Sequence, residues 1–230
     1  MTKEQLEKKL ERFEVSQNIE ELEDLLRDTL DTNKLFNLTA IDDENSFREL
    51  MVLDSLYPLE LINFDDKKII DIGTGAGYPG LPLAICSNGD FTLLDSTKKK
   101  VDHINEYVKR SGLLRVNAVN DRAEEYSKKH RDEYDIAIAR AVSSLNILIE
   151  MVVPLLKVDG YFIAMKGPKG MEEIAESQKA LKELYAEVVE IHEITLPESG
   201  EKRINILIQK KGITKSKYPR QYGEIVNKPL

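Results

Sequence analysis

Apolar positions change their period partway along the 230 residues, and the change divides the chain. Between Glu4 and Leu35, Leu6, Leu10, Phe13, Ile19, Leu22, Leu25, Leu26 and Leu30 recur at the three- and four-residue spacing of helix that buries one face. Phe47, Leu50, Leu53 and Leu56 repeat that spacing over residues 45–56, and Pro58 follows. Residues 1–60 therefore read as an N-terminal helical appendage. From Lys67 onward, short apolar runs alternate with amphipathic stretches. Strands are expected near 68–72, 91–95, 116–120, 134–139, 160–166, 187–194 and 203–210, with helices between the first six. That alternation predicts an α/β fold with a mostly parallel seven-stranded sheet. Only Leu196-Pro197-Glu198-Ser199-Gly200 joins the last two runs, so they should pair as an antiparallel hairpin. Residues 61–211 form the expected main domain, and 212–230 a basic tail.

The first strand runs into Asp71-Ile72-Gly73-Thr74-Gly75-Ala76-Gly77-Tyr78-Pro79-Gly80, and the second ends at Asp95. Glycines 73, 75 and 77 permit a sharp turn and leave no side chain between backbone and ligand. Pro79 suits the first turn of the next helix, where a missing N–H costs nothing. Asp95 stands 20 residues after Gly75, where a carboxylate can accept hydrogen bonds from ribose hydroxyls. Dinucleotide dehydrogenases carry G-x-G-x-x-G and usually a fully parallel sheet. Here the glycines read G-x-G-x-G, and the closing hairpin resembles the Rossmann-like class I methyltransferases that use S-adenosylmethionine. That ligand has no phosphate to cradle, and Asp71 could help hold its ammonium group.

Composition narrows the class further. Hydrophobic residues make up 41% and charged residues 32%, ordinary for a globular protein. The charged start carries no signal-peptide pattern, and the apolar stretch 145–156 is broken by Asn146, Glu150 and Pro154. A cytoplasmic protein with no membrane partner is expected. A single cysteine, Cys86, excludes an internal disulfide and a multi-cysteine metal site, and no metal is expected. The net charge of −8 is uneven: residues 1–66 hold 18 acidic against 7 basic side chains, whereas 209–230 hold six basic against one acidic. A basic tail on an acidic protein can still meet phosphates, because local potential decides where a polyanion docks.

Further segments fall at the carboxyl ends of expected strands, where open α/β sheets place ligands. These are Leu93-Leu94-Asp95-Ser96, Asp121-Arg122-Ala123-Glu124, Ala139-Arg140-Ala141-Val142 and Lys166-Gly167. Together with Asn37-Leu38-Thr39, Asp54-Ser55-Leu56 and Tyr218-Pro219-Arg220, they make the chain resemble the bacterial 16S ribosomal RNA guanine-N7 methyltransferase family, small-subunit methyltransferase G, also called glucose-inhibited division protein B. The resemblance runs from Asn37 to Leu230. It implies transfer of the methyl group of S-adenosylmethionine to N7 of a guanine in the decoding region of 16S ribosomal RNA, with the RNA or the small ribosomal subunit as partner and a monomeric enzyme.

Carried onto this chain, the resemblance implies a cofactor site of Asp71, Gly73, Gly75, Gly77, Tyr78, Asp95, Ser96, Ala123, Glu124 and Arg140. It places Asp95 at the ribose, Ala123 and Glu124 beside the adenine, and catalytic roles on Arg140 and Lys166. Arg122, Lys166, Arg203, Lys217 and Arg220 are the expected RNA-binding positions. Two residues depart from the family pattern: Met51 stands where a histidine is common, and Thr32 where a tryptophan is frequent. The competing reading keeps the cofactor and replaces the RNA with a small-molecule acceptor.

Overall fold

The computed structural model describes residues 1–36 and 38–230; Asn37, which opens the Asn37-Leu38-Thr39 motif, lies outside the described residues. Helix α1 (Lys3–Leu10) starts at a capping box in which Thr2 and Gln5 satisfy each other's backbone N–H groups. The helical spacing of residues 4–35 is not one continuous helix. Single 3-10 turns at Glu11–Phe13 and Ser16–Asn18 flank Glu14, whose φ of 59° ends the first helix, and α2 (Ile19–Asn33) then begins. The turn lets Leu10 and Ile19 reach the same core.

Asp43 caps α3 (Glu44–Phe47) by accepting from Ser46 N at 2.9 Å. The helix widens into a π turn over Arg48–Leu53 before α4 (Asp54–Leu56) and a 3-10 turn at Tyr57–Glu60. Such widened turns are often found at functional sites.

Seven strands follow: β1 (Lys68–Ile72), β2 (Asp90–Asp95), β3 (Val116–Asn120), β4 (Tyr134–Arg140), β5 (Leu156–Lys166), β6 (Ala186–Thr195) and β7 (Lys202–Lys210). They form one sheet in the order β3-β2-β1-β4-β5-β7-β6, parallel except for β7, which runs antiparallel to both neighbours. The mostly parallel sheet and its terminal hairpin are as expected. One boundary differs: β5 begins at Leu156 rather than near residue 160, because Leu156 pairs with Tyr134 across a bulge. Lys157, Asp159 and the side-chain-less Gly160 hide that extension from a hydrophobic pattern.

Between the strands run α5 (Gly80–Ile85), α6 (Lys98–Ser111), α7 (Ala123–Lys129), α8 (Leu145–Val152), α9 (Gly170–Glu176) and α10 (Gln178–Glu183); α11 (Tyr222–Asn227) lies in the tail. Side chains alternate across β1, so Ile69 joins the core that holds Leu22, Leu26, Phe47 and Leu81, whereas Ile70 and Ile72 join the core of Leu148, Leu181, Tyr218 and Ile225. The helices of residues 1–60 thus share one core with the sheet, and the tail shares the other. No helix among the described residues is long and apolar enough to cross a membrane.

Strand order reverses between β1 and β4, since the chain runs outward through β2 and β3 on one side and through β5 on the other. Open sheets bind ligands outside the carboxyl ends of their strands at that switch point.

Candidate active site

The loop after β1 turns on glycines, two of which the structure explains sharply. Gly73 has φ +69°, and a Cβ there would lie 2.6 Å from Val142 Cγ2. At Gly80 a Cβ would meet Leu93 Cδ2 at 2.2 Å and Asp71 Oδ2 at 2.8 Å. That close approach allows Asp71 Oδ2 to accept from Gly80 N at 2.9 Å, while it also accepts from Thr74 Oγ1 at 2.7 Å. The carboxylate therefore holds the loop's two ends together. It lines neither cavity described below, because it projects from the face of β1 that carries Ile69, under the helical region. Its other oxygen, Oδ1, is buried and accepts no hydrogen bond among the described residues.

Asp71 is wholly buried, and desolvation lifts its pKa from 3.8 to about 6, opposed by the bonds from Thr74 and Gly80. Between those values the folded protein retains a proton that the unfolded chain has released. The resulting stability is fully present below pH 3.8 and is lost as pH rises through about 6. This group should lower unfolding free energy by about 2 to 3 kcal/mol across that window. Urea denaturation at intervals from pH 4 to 7 checks it: Asp71→Asn should flatten the fall, and an unaltered profile would assign it to other groups.

Asp95 ends β2 beside the glycine loop. Its Oδ2 accepts from Gly75 N at 3.0 Å and its Oδ1 from Thr97 N at 2.8 Å, so one side chain joins the glycine loop to the start of α6. It borders a cavity of about 310 Å³ that Gly73, Ser96, Arg122, Ala123, Glu124 and Tyr222 also line. Arg122 donates from Nε to Glu124 Oε1 at 2.6 Å, and its guanidinium lies 4.6 Å from the centre of the Tyr222 ring. Arg122, expected to face RNA, is thus a wall of this cavity.

A second cavity, of about 620 Å³, opens beside the first. Ala141, Val142 and Ser143, just beyond β4, line both. Arg140 reaches Asp54 Oδ2 and the Leu50 carbonyl at 3.3 Å each, and Met51 Sδ at 3.4 Å. Arg203 donates from Nε to the same Asp54 oxygen at 3.2 Å and pairs with Glu201 at 2.8 Å. Lys166 donates to the Ser143 carbonyl and pairs with Glu173 at 2.8 Å. Burial pushes the Arg140 pKa down from its ordinary value, and the neighbouring carboxylates of Asp54 and Asp71 oppose that shift. Each of the three cations has a carboxylate partner, so the lining is close to charge-balanced.

Tyr78, Gly75, Gly77, Lys217 and Arg220 line neither cavity. Tyr78 is 3% exposed; its hydroxyl bonds Thr29 Oγ1 at 3.2 Å and its ring meets Phe47 edge-on at 5.4 Å. It packs the loop against the N-terminal helices, so its ring is not offered to a cofactor. Arg220 is bound to Glu150 by Nε at 2.8 Å and Nη2 at 2.6 Å, which occupies the charge expected to meet RNA. Lys217 rests its ammonium over the Tyr218 ring. Among the cavity residues with no role assigned from sequence are Asp54, Met51 and Tyr222. Asp54 carried a signal, an acid on an apolar helical face within a quoted motif. Met51 was marked only as a departure, and Tyr222 carried no signal.

A parallel sheet closed by an antiparallel β7, with a glycine loop after β1 and an acid ending β2, defines the Rossmann-like methyltransferase class. M. jannaschii TYW2 in complex with AdoMet shares the fold at a TM-score of 0.54 and 16% identity, over 65% of this chain and 71% of that one. An rRNA methylase from Streptococcus thermophilus aligns at 0.50 and 16%, over 66% and 91%. The family model described as rRNA small subunit methyltransferase G matches residues 18–205, and the chain belongs to that family. A ribosomal RNA small subunit methyltransferase G from Fusobacterium nucleatum is 42% identical over 96% of this chain and 97% of its own length. One from Alkaliphilus metalliredigens is 44% identical over 87% and 86%.

Proposed function

We propose that the chain methylates N7 of a guanine in the decoding region of 16S ribosomal RNA, holding S-adenosylmethionine in the smaller cavity and the guanine in the larger one. Family membership supports the reaction, and the shared wall of Ala141, Val142 and Ser143 is the observation that carries the assignment of the two cavities. The smaller cavity fits an adenosyl group: Asp95 offers a carboxylate on its lining, and Ala123 and Glu124 form a wall suited to the base. The cofactor supplies an electrophilic methyl group on a sulfonium. Guanine N7 carries a lone pair and no proton, so no residue need act as a general base.

The protein's work is positioning and charge placement. Arg140, fixed by Asp54, Leu50 and Met51, lines the larger cavity and orients the acceptor. Methylation leaves a positive charge on the purine, and the carboxylate of Asp54 lies in the cavity that would receive it. RNA phosphates can take over Lys166 and Arg203 from Glu173 and Glu201, whose side chains are 24% and 50% exposed at the rim.

Labelled S-adenosylmethionine and unmethylated small-subunit RNA test the reading: label should appear at N7 of one guanine, and absence of transfer to RNA or to subunits would sink it. Arg140→Ala should lower kcat/KM by about 10²- to 10³-fold, the usual loss on removing one preorganised electrostatic group. Cofactor affinity should stay at the wild-type level; a loss confined to cofactor binding would move Arg140 out of the acceptor site.

A further inference from the structure

The basic tail is clamped to the body rather than free. Arg220 is bound to Glu150, which is 0% exposed, through backbone N as well as guanidinium. Arg131 donates to the carbonyls of Thr214 and Tyr218. The Tyr218 hydroxyl donates to Glu183 Oε2 at 3.1 Å, and Ile225 is buried against the second core. These anchors fix the path of residues 214–225. They bring Tyr222 to the smaller cavity, beside the start of α7 that carries Ala123 and Glu124.

Tyr222 is 42% exposed, so the packing of the tail does not depend on burying its ring. The Arg122 guanidinium, itself held by Glu124 at 2.6 Å, lies over the ring at 4.6 Å from its centre. The chain of Glu124, Arg122 and Tyr222 thus carries an aromatic face from the buried wall to the cavity mouth. An aromatic side chain stiffened by a guanidinium suits a flat heterocycle, on which it can stack. The only flat heterocycle of an adenosyl ligand is its purine.

We propose that Tyr222 is a cofactor-binding residue that walls the adenine end of the smaller cavity, its ring against the purine, and that the C-terminal tail is thereby part of the cofactor site. The inference rests on the assignment of that cavity to S-adenosylmethionine. It changes what the tail is for: a segment whose charge suggests RNA alone also completes a small-molecule site.

Calorimetric titration of the full chain with S-adenosylhomocysteine, and separately with adenosine, tests it. Tyr222→Ala should raise Kd for both ligands about tenfold, as expected on losing one base–aromatic stack. Tyr222→Phe, which keeps the ring, should bind as the wild type does. Tyr222→Leu keeps apolar bulk without an aromatic face and should be weakened like the alanine variant, so a general loosening of the tail is distinguished from loss of stacking. Wild-type affinity in Tyr222→Ala, or in Tyr222→Leu, overturns the proposal while leaving the cofactor assignment standing. A wild-type protein that takes up neither ligand overturns the cofactor assignment and the proposal with it.

Discussion

Arg220→Ala is expected to destabilise the fold by about 3 to 5 kcal/mol, the usual cost of leaving a buried carboxylate without its partner. Glu150 is wholly buried on α8 and receives three hydrogen bonds from Arg220, two of them from the guanidinium. The variant keeps the backbone bond at 2.9 Å and loses both charged ones. At about 2 to 4 °C per kcal/mol for a chain of this size, the melting temperature should fall by roughly 10 °C. Scanning calorimetry measures it directly. Below the transition, the salt dependence of RNA binding should match the wild type, since this guanidinium is engaged inside the protein. A variant that melts like the wild type but has a shallower salt slope would return Arg220 to the RNA interface.

Asp95→Ala should weaken binding of S-adenosylhomocysteine by about 1 to 3 kcal/mol, roughly 10- to 100-fold in Kd. Two losses combine. The ligand's hydroxyls lose a charged acceptor, and the N–H groups of Gly75 and Thr97 lose the carboxylate that aligns them. Asp95→Asn retains one carbonyl oxygen and should fall between the two. Calorimetric titration at constant pH reads both variants, and an unchanged Kd in the alanine variant would remove Asp95 from the site.

The two expectations differ in how much the sequence foretold. Asp95 was visible because its role is local: a strand, a glycine turn and a second strand of ordinary length place an acid beside the loop with little freedom left. The strands were visible for a similar reason, since burial on both faces demands continuous apolar runs such as Ile136 to Ala139. The pairing of Arg220 lay beyond the same local view. A basic residue in a basic tail looks solvated until Glu150, 70 positions earlier, is brought beneath it. The second cavity depends on still longer closures, with Asp54 joined to Arg140 over 86 positions and to Arg203 over 149. Periodicity reports which face of an element is buried and is silent about what faces it.

By itself, the sequence determined the alternation of strands and helices, the glycine turn after β1, the acid that ends β2 and the resemblance to a family of ribosomal RNA methyltransferases. Each of these is set by backbone preference or by apolar spacing over a few residues. Only the tertiary structure decided that the N-terminal helices share the sheet's core, that Tyr78 and Asp71 brace the loop from behind, and that the tail brings Tyr222 to the smaller cavity. Those outcomes turn on which buried charge finds a partner and which ring is left at a cavity wall, and both are fixed by long-range packing rather than by neighbours in the chain.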